Sequence, residues 1–191
     1  MYSVIKTAVV CGFDALPVQV EADVSDGMPS FDMVGFLTSE VKEARERVRT
    51  ALKNAGFRLP AKKITINLTP ADMRKSGTGC DLPMAASVLA AFGFLDEHIL
   101  SDYLLLGEVG LNGSILPTKG VLSAAVLAQK EGMQGIVVPW ENAREAAILD
   151  AVKVIPVKKL KEFVQICQQE LPETCFYREQ QEIWKTEYDV D

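Results

Sequence analysis

The order of the predicted elements is the feature that most limits how this chain of 191 residues can fold. Two stretches rich in Val and Ile, 3–11 and 16–24, come first and are joined by a turn at 12–14, which is typical of paired strands. From residue 31 onward, short strands alternate with helices. Strands followed by such an alternation predict an α/β (α+β) domain, in which one mixed β-sheet carries helices on its faces.

The remaining elements follow from apolar spacing, capping residues and turn residues. The predicted helices are 39–55, 82–93, 119–131, 141–149 and 160–169, and the predicted strands are 31–36, 62–68, 103–106, 114–116, 135–138 and 152–156. Asp81 is the expected N-cap of the second helix, because Pro83 lies in its first turn. The strands 103–106 and 114–116 are expected to pair as a hairpin around the turn 111–113.

Composition excludes several classes of protein. Apolar residues make up 48% of the chain and charged residues 24%, as in soluble globular proteins. No signal-peptide pattern opens the sequence, and the longest uncharged stretch, 82–95, is shorter than the roughly 18–20 residues that span a bilayer. The four cysteines are widely spaced and His98 is the single histidine. We therefore expect a cytoplasmic protein with free thiols, no metal site and no membrane partner.

Charge is distributed unevenly along the chain, whose net charge is −6. Residues 42–75 carry ten bases and three acids, whereas residues 170–191 carry seven acids and two bases. The apolar pattern also weakens near residue 171. The sequence therefore predicts a domain over 1–169 and an acidic tail or linker over 170–191.

The predicted first helix carries a row of cations at steps of three or four residues: Lys42, Arg45, Arg49 and Lys53. That spacing places them on one helical face. Such a row is a candidate for binding the phosphate backbone of a nucleic acid. The alternative is a solvated face that Glu43 and Glu46 partly neutralise, and no aromatic residues interleave with the row to form a stacking platform.

The loop 70–79 lies between a predicted strand and a predicted helix N-terminus. Because backbone N–H groups at a helix start favour anions, Arg74 and Lys75 are candidate anion-binding residues. The alternative is that Gly77 and Gly79 simply permit a tight turn. The loop is not a Walker A motif, and Asp81 at the helix start would repel phosphate.

Six segments taken together resemble a known family, over roughly residues 1–167: 34–35, 41–56, 64–72, 75–85, 106–122 and 138–142. They look like the N-terminal, ChlI-type domain of the ComM/YifB family of magnesium chelatase-like AAA+ ATPases. The resemblance implies a fold similar to the proteolytic domain of Lon and to ribosomal protein S5 domain 2. It therefore also implies a scaffold that can carry a Ser–Lys protease dyad.

The dyad itself is missing from this sequence. By resemblance to Lon, the nucleophile's position is Gly79 and the position of the lysine base is Ala124. Neither residue has the hydroxyl or amine that covalent catalysis needs, although Ser76 and Thr78 lie nearby. We therefore expect no catalytic residue and no enzymatic activity in this chain.

The resemblance also implies what accompanies this domain. Family members continue into an AAA+ module with a Walker A loop, which would bind ATP and Mg beyond Asp191, while this chain would hold no cofactor. The family role is DNA branch migration during natural transformation by a hexameric helicase. The expected function is a non-catalytic domain that assists hexamer assembly, DNA engagement or both, with its own AAA+ module, further copies and DNA as partners. The alternative is a residual hydrolase or phosphate-binding site on the Lon/S5-like scaffold.

Overall fold

The computed structural model describes residues 1–179, which form nine strands and five α-helices. The strands are β1 (Tyr2–Cys11), β2 (Asp14–Ser25), β3 (Ser30–Val34), β4 (Lys63–Thr69), β5 (Tyr103–Leu105), β6 (Glu108–Val109), β7 (Ile115–Leu116), β8 (Gly135–Pro139) and β9 (Lys153–Val157). The helices are α1 (Ser39–Asn54), α2 (Asp81–Ala91), α3 (Val121–Lys130), α4 (Ala143–Ala146) and α5 (Leu160–Gln168). None of these helices is long and apolar enough to cross a membrane.

The first sheet has four strands in the order β1-β2-β4-β3. β1 pairs antiparallel with β2 and β2 with β4, whereas β3 runs parallel to β4. Alternate residues of β2, from Val18 to Val24, are buried, and so are Ile64, Ile66 and Leu68 of β4. The sheet therefore has one apolar face, against which α2 packs.

Two helices cover this sheet as the apolar spacing predicts. α1 buries one face, formed by Val41, Ala44, Val48, Ala51 and Leu52, and packs against α2. α2 is buried at every residue from Asp81 to Leu89. A helix that is apolar nearly all round belongs in the interior, and α2 occupies that place.

The second half of the chain forms separate small sheets. β5, β8 and β9 make a parallel three-stranded sheet, and β6 pairs with β7 in a two-stranded hairpin. The predicted hairpin between 103–106 and 114–116 is therefore wrong. All three residues of β5 are buried, as suits a strand of a covered parallel sheet, and β7 takes the nearer β6 as its partner. The predicted fold class, mixed β-structure with helices, is confirmed, but the single predicted sheet is divided.

Two boundaries also differ from the sequence prediction. The helix expected over 141–149 begins as a 3₁₀ turn at Trp140–Asn142 and ends with α4. The acidic tail expected from residue 170 is not separate at its start, because Leu171, Cys175 and Phe176 pack against the core and the Tyr177 N–H donates to the Val154 carbonyl at 2.7 Å. The rest of that predicted tail, residues 180–191, lies outside the described residues.

Candidate nucleic-acid interface

The exposed face of α1 carries the four predicted cations. Lys42, Arg45, Arg49 and Lys53 are all exposed, because the opposite face of the helix is committed to the core. At 1.5 Å per residue, the row is about 16 Å long. We call these four residues the basic row.

Glu43 and Glu46 neutralise less of the basic row than the alternative interpretation, a solvated face, assumes. Arg45 Nε lies 3.7 Å from Glu46, with both side chains about half exposed, so this pair is weak. Glu43 lies instead 3.8 Å from Arg47. Within residues 1–179, the other three cations of the row form no ion pair. Their charge is therefore available to an external anion.

Arg47 has a different role from its neighbours, which the sequence analysis missed. Its Nε and Nη2 donate to the two carboxylate oxygens of Asp81 at 2.8 and 3.0 Å. Asp81 is only 1% exposed and also accepts from the Val109 N–H at 3.2 Å. The only signal for this role in the sequence is that Arg47 falls outside the row's three- and four-residue steps.

The same ion pair corrects the prediction that Asp81 caps α2. The N-cap position belongs to Cys80, and no side chain caps the helix there. The Asp81 carboxylate turns toward Arg47 and so ties α2 to α1. Burial raises the pKa of Asp81, and the hydrogen bonds from Arg47 act in the opposite direction.

Lys75 cannot bind a surface anion as predicted. It is fully buried, and its Nζ donates to the Pro70 carbonyl. The loop is drawn onto the start of α1, since the Lys75 N–H donates to the Phe36 carbonyl at 2.8 Å and the Lys75 carbonyl accepts from the Thr38 N–H at 3.0 Å. Burial lowers the pKa of Lys75. Arg74 alone of the two candidate loop residues stays exposed.

The glycine-containing end of the loop is already bonded to carboxylates. The Gly77 N–H donates to Glu40 at 3.0 Å, and the Thr78 hydroxyl donates to Glu108 at 2.7 Å. Two carboxylates at these donors disfavour an incoming phosphate.

The two positions of the Lon-type dyad are both closely packed. At Gly79, an added Cβ would lie 3.3 Å from Thr118 Oγ1, and Ala124 is fully buried.

Other nucleophiles and metal ligands give little support for catalysis. Burial raises the pKa values of the Cys80 and Cys167 thiols to about 12, which keeps both protonated at neutral pH. His98 is exposed on a short 3₁₀ turn. Within the described part of the chain, no three His, Cys, Asp or Glu side chains are grouped so as to hold a metal ion.

The chain is similar to several known proteins. The family model described as "Subunit ChlI of Mg-chelatase" matches residues 20–142. The uncharacterized protein YifB of Escherichia coli is 45% identical over 128 residues, which are 67% of this chain and 25% of YifB. The competence protein ComM of Haemophilus influenzae is 39% identical over 163 residues, which are 84% of this chain and 32% of ComM.

A more distant similarity supports the fold. The Lon protease of Mycolicibacterium smegmatis is 27% identical over 167 residues, which are 81% of this chain and 21% of that protease. The match is consistent with a Lon-like arrangement of the strands and helices. The chain spans about a quarter to a third of the length of YifB and ComM.

Proposed function

The chain belongs to the ComM/YifB family of magnesium chelatase-like AAA+ proteins, and from this premise we propose that it acts as a non-catalytic N-terminal domain that engages DNA for such an ATPase. Its partners are its own AAA+ module, further copies in a hexamer, and DNA during branch migration in natural transformation. ATP and Mg bind to that module rather than to this domain. The site of action is the cytoplasm.

One observation carries the DNA-binding part of the proposal. The basic row presents four exposed cations on a single rigid helix, and three of them form no ion pair within residues 1–179. A few phosphate contacts give weak, sequence-independent binding, with dissociation constants of about 10⁻⁴–10⁻⁶ M at physiological salt. Six copies around one DNA path would add their contacts.

Reversing two charges of the basic row should abolish most DNA binding. We expect the Arg45→Glu/Arg49→Glu variant to bind duplex DNA at least about tenfold more weakly at low salt, and its salt slope to fall by about 1.8, or about 0.9 for each lost phosphate contact. Fluorescence anisotropy with a labelled duplex over a series of salt concentrations measures both quantities.

The matched control reverses two exposed lysines outside the row, as Lys119→Glu/Lys130→Glu. This control variant changes the net charge by the same amount as Arg45→Glu/Arg49→Glu does. It should bind DNA more tightly than that variant and show a steeper dependence of affinity on salt concentration. Circular dichroism should show both variants folded, because none of the four side chains is buried. If the two double variants bind DNA alike, the row is only a solvated face or a contact between subunits.

No peptidase activity is expected, because neither Gly79 nor Ala124 can supply a nucleophile or a base. Incubation with an unfolded protein and with fluorogenic peptides should give no turnover above buffer. Turnover that disappears in Ser76→Ala or Thr78→Val would favour the residual hydrolase instead. Turnover that both variants retain would point to a contaminating protease, which a mock purification from cells lacking this protein identifies.

A further inference from the structure

The β6–β7 hairpin joins the basic row to a second cationic segment. In the turn of this hairpin, the Leu111 carbonyl accepts a hydrogen bond at 2.7 Å from Asn54 Nδ2, in the last turn of α1. Close to the same turn, the Ile115 N–H donates to the Lys158 carbonyl at 2.8 Å, and the Leu160 N–H donates to the Gly113 carbonyl at 2.9 Å. The hairpin therefore connects Lys53, near the end of α1, with Lys158 and Lys159.

An exposed indole lies beside this second segment. Trp140 is 48% exposed, and Lys158 Nζ lies 4.4 Å from the centroid of its ring. Lys158, Lys159 and Lys161 are exposed and form no ion pair with any residue of 1–179. No aromatic residue lies on α1 itself. Trp140, from a segment distant in the sequence, provides an exposed aromatic ring beside cations.

The turn that carries Trp140 is held rigidly. Asn142 is buried, and its side chain accepts from the Thr118 N–H and donates to the Thr118 carbonyl, both at 3.0 Å. These bonds fix the backbone that carries Trp140, and Lys158 Nζ covers one face of the indole. A base would therefore stack on the other face of the ring, or on this face after displacing the lysine toward a phosphate.

We propose that Trp140, Lys158 and Lys159 bind an unpaired stretch of single-stranded DNA, with one base stacked on the indole and the neighbouring phosphates beside the lysines. Single strands are held in this way, by cations that follow the backbone and aromatic rings that take the bases. The inference rests on the proposed function, because it takes DNA as the partner of this domain. It adds a place on the domain where unpaired nucleotides are held.

The charges around Trp140 limit the path of the strand. A groove beside the indole is lined by three carboxylates, Glu162, Glu173 and Glu179, and by two arginines, Arg144 and Arg178. Arg144 lies 3.9 Å from Glu179 and Arg178 lies 4.0 Å from Glu173, so both arginines already have a partner and the groove keeps a negative balance that disfavours phosphate. The strand therefore crosses at Trp140, toward the lysines, and does not follow the groove toward residue 179.

The experiment uses Trp140 as its own probe. The chain has two tryptophans, so Trp184→Phe leaves Trp140 as the single emitter. Titration of this background with an oligothymidylate at low salt should quench its fluorescence, whereas a duplex of the same length should quench it less. Adding Trp140→Ala should weaken oligothymidylate binding about tenfold, measured by anisotropy, and change duplex binding less than about twofold.

The control variant is Phe13→Ala, which removes another aromatic ring that is 99% exposed, in the turn between β1 and β2. It should leave both affinities unchanged. If Trp140→Ala binds oligothymidylate as well as the background does, or loses both DNAs equally, the stacking proposal is wrong while the proposed DNA function stands. If the background binds neither DNA at low salt, the proposed function itself fails.

Discussion

Replacing Arg47 with methionine should destabilise the domain by about 3–5 kcal/mol, the range found when one partner of a buried ion pair is removed. Within residues 1–179, the variant leaves the Asp81 carboxylate, which is 1% exposed, with the Val109 N–H as its remaining hydrogen-bond donor. Unfolding in urea, followed by circular dichroism, measures the loss. Arg45→Met is the matched control on the same helix, and because its side chain is exposed it should change stability by no more than about 0.5 kcal/mol.

The pH dependence of the Arg47→Met defect follows from the same contact. Burial already raises the pKa of Asp81 above its ordinary value, and the variant removes the hydrogen bonds that oppose this rise. The folded variant therefore holds a proton on Asp81 more tightly than its unfolded chain does. As the pH falls from 7 through that raised folded pKa, protonation removes the buried charge, and the gap in stability between variant and wild type should narrow.

Two results would contradict this account. A gap that widens as the pH falls would mean that Asp81 is not the group left unpaired. A double variant, Arg47→Met/Asp81→Leu, removes both charges and should recover much of the lost stability, because no buried charge remains without a partner. A double variant as unstable as Arg47→Met would show that packing, rather than charge, is responsible.

Replacing Gly135 with alanine should cost about 3 kcal/mol. A Cβ at this first residue of β8 would lie 2.3 Å from the Lys153 carbonyl oxygen and 2.9 Å from Tyr103 Cε1. The nearer atom is backbone in the neighbouring strand β9, so no side-chain rotation relieves the contact. The β9 backbone must shift and the Tyr103 ring must move aside, which disturbs the parallel sheet.

The control for Gly135→Ala is Gly132→Ala, only three positions away. Gly132 has a φ of 68° but open space around an added Cβ. Its substitution should therefore cost about 1–2 kcal/mol, the penalty of the left-handed conformation alone. Thermal and urea unfolding compare the two, and equal losses would show that β8 and β9 accommodate the methyl group.

The parts that sequence reasoning located correctly are those that local pattern determines. α1, α2 and β8 each have their own apolar spacing, and the exposed position of the basic row follows from the spacing of α1. The family resemblance was confirmed by the similarity of the chain to the ChlI model, YifB and ComM.

The errors concern contacts between distant segments. Local sequence shows β5 as a strand but does not show that its partner is β8 rather than a nearer strand. The roles of Asp81 and Lys75 depend on Arg47 and on the loop beginning at Pro70, which meet them only in the fold. A charged residue is expected at the surface unless a partner for it is known, and these partners cannot be identified from spacing along the chain.

The burial of α2 has a consequence for how the domain opens. α2 lies against β1, β2 and α1, and its Leu82 N–H donates to the Gly107 carbonyl between β5 and β6. One apolar cluster includes residues of α2 together with Leu105, Val137 and Ile155 of the parallel sheet. Removing either sheet would expose this central helix to water, so we expect the two halves of the chain to unfold together, as one cooperative unit, rather than one after the other.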